Sequence, residues 1–263
     1  MLTFYGCTLF AAALVAIAGF RQHQRIDLLV TIAFAIYPFG FGYVMSFAEG
    51  VRYHTLDRYL YSLDCFLHLD PFPWIQYVWV HPGLFQFLAN VYMVLPIFIA
   101  LGWVIERSTT LLRASVLAPV LAGSLFYNLV PGIGPIHAFT RTIPHQLIPL
   151  DTVANLPRNA FPSMHLTWAL LVAFNAKHAA WRPVAWTFVL LTAISTLGSG
   201  EHYSVDLLAA LPFAFFVQWL AQVVVAPSRK EEPVPPATVA SPYEVNEPSK
   251  KSAAESSHAE TAG

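Results

Sequence analysis

The sequence predicts an all-α, polytopic membrane protein. We expect a bundle of about six or seven transmembrane helices with one amphipathic helix lying in the membrane interface. Of the 263 residues, 56% are hydrophobic and only 11% are charged, whereas soluble domains carry about 25% charged residues. Mean hydropathy is positive, at +0.55. The net charge of −1 provides no basic surface for nucleic acid, so the expected partner at this stage is the bilayer.

Seven apolar runs are long enough to be membrane spans. A helix rises about 1.5 Å per residue, so about 20 apolar residues cross the roughly 30 Å hydrocarbon core. The first run lacks the basic start that is typical of a signal peptide, and we therefore expect it to be retained. A count of six spans would apply if it is cleaved or lies on the surface. The candidate spans are residues 3–20, 27–48, 84–105, 111–130, 163–180, 183–200 and 204–226.

An amphipathic helix is predicted between the second and third spans, in TLDRYLYSLDCFLHL (residues 55–69). Four leucines recur at spacings of four, three and four, at Leu56, Leu60, Leu63 and Leu67. The polar residues fall on the other faces, at Arg58, Ser62 and Asp64. This pattern is typical of a helix in the membrane interface. We expect it to pack and anchor the bundle, or to guide a lipid toward the site.

The chain divides into three predicted segments. Residues 1–48 form N-terminal transmembrane helices, and residues 49–226 form the membrane domain that holds the polar motifs described below. Residues 227–263 are rich in Pro, Ser, Ala and charge. A segment of that composition cannot bury a core, so we expect a disordered tail.

Positive charge is distributed unevenly between the two sides of the seven-span arrangement. One side has eight basic residues in short segments, namely Arg21, Arg25, Arg107, Arg113, Lys177, Arg182, Arg229 and Lys230. The other side has four in longer loops, namely Arg52, Arg58, Arg141 and Arg158. The positive-inside rule makes the first side cytoplasmic. We therefore expect the tail in the cytoplasm and both histidine motifs on the non-cytoplasmic side.

Two motifs carry candidate catalytic groups, FPSMH (residues 161–165) and GEHYSVD (residues 200–206). If the second is helical, His202 and Asp206 share a face, and the carboxylate can fix the imidazole tautomer. His165 can serve as an acid, and Ser163 stands at a predicted helix start whose N–H groups can bind an anion. These parts favour phosphoryl transfer without a metal.

Two other functions stay open. A metal site could draw on His137, His145, His165 and His202, although their spacing matches no ligand motif. A transporter or lipid-binding scaffold would not need the histidine pair. Such a protein would more typically show inverted repeats and broken helices, and neither is evident in the sequence.

The two motifs also carry a family resemblance. FPSMHLTWA and STLGSGEHYSVDLLAA resemble the second and third signatures of the type 2 phosphatidic acid phosphatase superfamily. YNLVPGIGP, residues 127–135, resembles the first signature of the branch that includes the inositol phosphorylceramide synthase (aureobasidin target) proteins. The similarity extends over roughly residues 50–225. It implies a membrane enzyme that transfers or hydrolyses a lipid phosphoryl or phospho-head-group without a cofactor.

The resemblance assigns roles to matching positions. His202 would be the nucleophile that forms a phosphohistidine, and Asp206 would orient it. His165 would protonate the leaving alcohol, and Ser163 would hold phosphate oxygens.

This chain departs from the common signatures in ways that remove cations. Tyr127 and a Pro/Gly turn replace a first signature that has Lys and Arg-Pro, and Thr196 stands where the third signature has Arg. We predict that Arg158 and Arg141 supply positive charge to the phosphate, and that Tyr127 and Thr196 line it. The first signature favours transfer over hydrolysis.

Overall fold

A computed structural model describes residues 2–20, 32, 55–139, 148, 156 and 159–223. The chain separates into two units, residues 1–225 and 226–263, and every described residue lies in the first. The second span predicted, 27–48, and the tail beyond 226 fall outside this set apart from residue 32. The described residues are helical and contain no β-strand, so the predicted all-α membrane bundle is confirmed.

Eleven α-helices and one π-helical turn make up the described residues. In chain order the α-helices are α1 (Leu2–Phe20), α2 (Asp57–Phe66), α3 (Phe72–Trp79), α4 (Pro82–Met93), α5 (Leu95–Glu106), α6 (Thr109–Leu121), α7 (Tyr127–Leu129), α8 (Pro135–Ala138), α9 (Met164–Asn175), α10 (Trp181–Ser199) and α11 (Ser204–Val223). The π-helical turn Ala122–Phe126 joins α6 to α7.

Helix α9 is the centre of the bundle and packs against α5, α6, α10 and α11. Its sequence, MHLTWALLVAFN, is apolar on all sides, which is the pattern of a helix enclosed by others. Ten of its twelve residues are buried, His165 and Phe174 being the exceptions. The first turn of α9 therefore sits at the junction of several helices.

The outer helices turn large apolar side chains outward. Leu190 on α10 and Phe215 on α11 are more than half exposed. Unpaired apolar surface of this extent is costly in water and is the ordinary surface of a helix that faces lipid. Two described helical segments are long and apolar enough to cross a membrane, Thr109–Leu129 and Ser204–Val223. The pair α4 and α5 qualifies together, bent by 47°.

The predicted window 3–20 coincides with α1, whereas the windows 163–180 and 183–200 do not contain a helix that qualifies as a span. The window 163–180 contains only the 12-residue helix α9, which is about 18 Å long and too short to cross alone. The residues beyond Asn175 belong to the connection to α10, and the predicted window combined this connection with α9. α10 has 19 residues but does not reach the hydropathy of a span.

Helix α2 packs against the protein through a face other than the predicted leucine face, and its place in the membrane interface stays a prediction. Asp57, Leu60, Tyr61 and Asp64 are the buried residues of this helix, and they follow helical i, i+3, i+4, i+7 spacing. Leu63 is 46% exposed. The leucine pattern was misleading because the protein-facing side of α2 carries two carboxylates.

The loop between α7 and α8 lies against the loop between α10 and α11. Gly134 has φ +85, and a Cβ at this position would collide with the carbonyl of Glu201. The Ile136 amide also donates to the Gly200 carbonyl, at 3.0 Å. Only glycine combines this backbone angle with so close an approach.

Replacing Gly134 with alanine should therefore destabilise the fold. At φ +85 and ψ 157 the backbone is in a region that is essentially restricted to glycine, where another residue costs about 1–3 kcal/mol, which corresponds to about 2–12 °C in melting temperature for a domain of this size. Thermal unfolding of purified Gly134→Ala in detergent measures the loss. Gly83→Ala is the matched control, because its Cβ would meet nothing within 4 Å. Equal melting temperatures for the two variants would contradict the close approach at Gly134.

Candidate active site

The two histidine motifs meet at one end of the bundle. FPSMH leads into α9, with Ser163 as its N-cap residue. GEHYSVD forms the turn from α10 to α11. The Ser163 amide donates to the Asp206 carbonyl oxygen at 3.2 Å. This bond joins the start of α9 to the start of α11.

His202 is held through one ring nitrogen. Its Nδ1 lies 2.8 Å from the carbonyl oxygen of Ala160, and the residue is only 4% exposed. A carbonyl oxygen can only accept, so Nδ1 must carry the proton in this hydrogen bond. The lone pair of the neutral ring is then on Nε2, as a nucleophilic role requires.

Asp206 lies behind the same nitrogen, at a longer distance. Its Oδ2 is 3.5 Å from His202 Nδ1 and accepts the Tyr203 amide at 2.7 Å. The condition under which the sequence placed both residues on one helical face is not met, because His202 precedes α11, which begins at Ser204. The side chains still approach because the turn folds back on the helix start. Their predicted catalytic roles stay predictions.

His165 projects from the first turn of α9 into an aromatic setting. The Tyr92 ring stacks on it with centroids 3.5 Å apart and planes at 24°. Trp168 presents an edge at 6.1 Å. The two rings fix the orientation of the imidazole. His165 and His202 lie close enough for their charges to interact. Sequence reasoning missed Tyr92, which stands in an apolar run with no polar neighbour to mark it.

Two buried polar atoms at this junction have no hydrogen-bond partner among the described residues. They are Ser163 Oγ and Asp206 Oδ1, and both residues are 0% exposed. A buried oxygen without a partner is costly and calls for a ligand or water. Ser163 was predicted to cap α9, but its side chain makes no cap bond. Its hydroxyl is therefore available to a bound phosphate.

Tyr127 and Thr196 were predicted to line the phosphate. Tyr127 is 2% exposed within the main apolar core and is near enough to interact with the Asp206 charge. Thr196 donates its hydroxyl proton to Thr192 and Ala193 carbonyls, at 2.9 and 3.1 Å. That proton is committed within α10, so Thr196 has no donor for phosphate in this conformation. The contacts of Thr196 give its predicted role no support.

The predicted cations Arg158 and Arg141 lie outside the described residues, and their role stays a prediction. His145, one of the four histidines considered for a metal site, lies outside as well. Within the described ranges no group of three or more His, Cys, Asp and Glu is placed to hold a metal ion. His137 instead pairs with Glu201, with Nε2 and Oε2 3.5 Å apart.

An apolar cavity of about 160 Å³ adjoins the His165 side of the junction. Tyr92, which stacks on His165, forms part of its wall. Most of the other lining residues are apolar and come from α3 and α4, while Glu201 supplies a charge. A cavity of this kind suits the apolar part of a ligand whose polar part lies at the junction beside His165.

Two carboxylates on α2 complete the surroundings of the site, and sequence reasoning assigned them no chemistry. Asp57 accepts hydrogen bonds from the loop before α8 and from Tyr203. Asp64 accepts the amides of Ser204 and Val205 at 2.8 Å each. The seven-residue interval between the two carboxylates was a usable signal, because it places both on one helical face together with Leu60 and Tyr61.

The fold and this junction define a class of protein, a helical membrane protein with a buried polar site where two helix starts meet. The family model described as PAP2 superfamily matches residues 58–220, which is more than half of the chain. The protein belongs to the PAP2 superfamily, and membership supports a phosphatase or phosphotransferase type of enzyme acting on lipid phosphates. No curated protein and no solved structure gives a significant match to the chain.

Proposed function

We propose that this protein transfers a phospho-head-group between lipids through a phosphohistidine on His202, as an inositol phosphorylceramide synthase-like phosphotransferase. Lipid phosphate hydrolysis, on a phosphatidic acid or polyprenyl phosphate, is the second candidate, since superfamily membership supports it equally. The observation that carries both is the hydrogen bond from His202 Nδ1 to the Ala160 carbonyl, 2.8 Å long. It directs the lone pair of the ring to Nε2.

The first step forms the intermediate. The Nε2 lone pair attacks phosphorus, and the P–O bond to the leaving alcohol breaks. A proton from the His165 imidazolium passes to the leaving oxygen. Asp206 stabilises the positive charge that develops on His202, because its Oδ2 lies 3.5 Å from Nδ1. The Ser163 hydroxyl, buried and without a described partner, donates to a phosphate oxygen.

The second step returns the enzyme to its starting state. An acceptor alcohol, or water in the hydrolase, gives its proton to neutral His165 and attacks phosphorus. The P–N bond to His202 then breaks. The cycle uses only side chains of this chain and needs no metal ion. Arg158 and Arg141 are the proposed cations for the phosphate.

Two observations support a lipid as the substrate. The outer helices present apolar surface, including Phe215 at 57% exposed. A cavity of about 160 Å³ with mostly apolar walls lies beside the Tyr92–His165 pair. The resemblance of YNLVPGIGP to a synthase-type first signature favours an alcohol acceptor over water. We place the site on the non-cytoplasmic side from the eight-to-four distribution of Lys and Arg.

The two histidines should differ in their response to the leaving group. His202→Ala should abolish both steps with every substrate, because no nucleophile remains. His165→Ala should lose about 10²–10⁴-fold on lipid phosphates, and nitrophenyl phosphate should restore part of that loss, since its leaving group needs no proton. His178→Ala is the control, because this exposed histidine pairs with Glu106 beyond the opposite end of α9. Product analysis with and without an alcohol acceptor separates transfer from hydrolysis.

Two results would contradict these assignments. One is activity of His202→Ala on nitrophenyl phosphate at the level of His165→Ala. The other is loss of wild-type activity to a chelator with recovery on adding zinc, which would replace the histidine cycle with a metal site.

Sidedness can be tested with single cysteines at positions 152 and 109. In a chain whose two native cysteines are replaced by serine, Thr152→Cys should react with an impermeant reagent added to intact cells. Thr109→Cys should react only after permeabilisation. The reverse pattern would place the chemistry on the cytoplasmic side while leaving the histidine assignment intact.

A further inference from the structure

Asp57, the first residue of α2, is the most heavily hydrogen-bonded side chain near the site. Its Oδ1 accepts from the amides of Ile133 and Gly134 at 3.0 and 3.1 Å. The Tyr203 hydroxyl donates to the same oxygen at 2.9 Å. Asp57 thus connects α2 both to the loop before α8 and to the residue that follows His202.

The loop before α8 also fixes the position of Ala160, whose carbonyl oxygen bonds to the His202 ring. The Ala160 amide donates to the Gly132 carbonyl at 3.0 Å, and the Ala160 carbonyl accepts from His202 Nδ1 at 2.8 Å. The Leu56 amide also donates to the Pro131 carbonyl at 2.7 Å. A continuous set of hydrogen bonds therefore runs from the start of α2 through residues 131–134 to the imidazole.

Asp64 makes a second attachment, which joins α2 to the start of α11. Its two carboxylate oxygens accept the amides of Ser204 and Val205 at 2.8 Å each. These are N-terminal amides of α11, which have no partner within their own helix. Since α11 also carries Asp206, Asp64 fixes the helix start that places this carboxylate beside His202.

Both carboxylates are expensive to bury. Each residue is 0% exposed. Burial raises the pKa of Asp57 above its ordinary value, against the opposing effect of its hydrogen bonds. Burial likewise raises the pKa of Asp64, to about 6. An apolar side chain would pack on this face at lower cost, so packing alone does not explain two buried acids on one short helix.

We propose that Asp57 and Asp64 are positioning residues, which hold the Ala160 carbonyl and the start of α11 so that His202 keeps its proton on Nδ1 and its lone pair on Nε2. The chemical consequence rests on the proposed function of His202. The positioning itself does not rest on that function, because the His202 ring has a defined tautomer with or without substrate. Helix α2 carries both of these positioning residues.

Three conservative variants test the role of Asp57. Asp57→Asn keeps the shape but places an amide N–H₂ where a carboxylate oxygen accepted. Tyr203→Phe removes only the hydroxyl that donates to Asp57. Asp70→Asn is the matched control, because Asp70 accepts the Phe72 amide at 3.0 Å at the start of α3. All three are purified in detergent and compared with wild type by thermal unfolding.

The tautomer of His202 is the readout that a purely structural role would not change. In ¹⁵N-histidine-labelled protein, two-bond ¹H–¹⁵N correlation spectra report which nitrogen carries the proton, with His202→Ala identifying the signal. Wild type and Asp70→Asn should show the Nδ1–H form. Asp57→Asn, and to a smaller degree Tyr203→Phe, should show the Nε2–H form or a mixture. The turnover number of Asp57→Asn on a lipid phosphate should fall about 10- to 100-fold with little change in KM, as for other groups that orient a functional histidine.

The results separate the possible failures. Wild-type tautomer in a folded Asp57→Asn variant, or an equal loss of turnover in Asp70→Asn, would overturn the proposal. If Asp57→Asn does not fold, the tautomer in Tyr203→Phe decides in its place. If wild type turns over no lipid phosphate, the proposed function fails, and the spectra still decide whether Asp57 fixes the ring.

Discussion

The hydrogen bond between His202 Nδ1 and the Ala160 carbonyl, 2.8 Å long, is the contact on which the site depends. A neutral imidazole has one N–H and one lone pair, so fixing the proton on one nitrogen leaves the lone pair on the other. Asp206 Oδ2, at 3.5 Å from the same nitrogen, is too distant to set the tautomer alone. A backbone carbonyl is a neutral acceptor that costs little to bury, provided that its own segment is held in place.

That segment is held by elements distant in sequence. The Ala160 amide bonds to Gly132, and the loop containing Gly132 is fixed by Asp57 and by the close approach of Gly134 to Glu201. The turn that carries His202, the loop of residues 131–134 and helix α2 therefore form one hydrogen-bonded unit. The apolar bundle around α9 supplies the rigid base on which this unit rests.

Composition and motifs were sufficient to predict the fold class, the membrane location and the convergence of His165, His202 and Asp206. The role of α2 could not be read from its leucines, because helical spacing gives several candidate faces and hydrophobicity favours the wrong one when the buried face carries Asp57 and Asp64. The Ala160 contact was also beyond reach, since a backbone carbonyl leaves no mark in the sequence. The span length failed at α9, because the predicted window 163–180 extended a 12-residue helix into the connection that follows it.

The isomer of the phosphohistidine tests the central claim most directly. Wild-type protein is incubated briefly with a ³²P-labelled lipid phosphate, quenched in base, digested and mapped by mass spectrometry against standards phosphorylated on either ring nitrogen. Because Nδ1 donates to Ala160, the phosphoryl group must be carried by Nε2 of His202. Phosphate on Nδ1 of His202, or on His165, would contradict the geometry from which the function is derived.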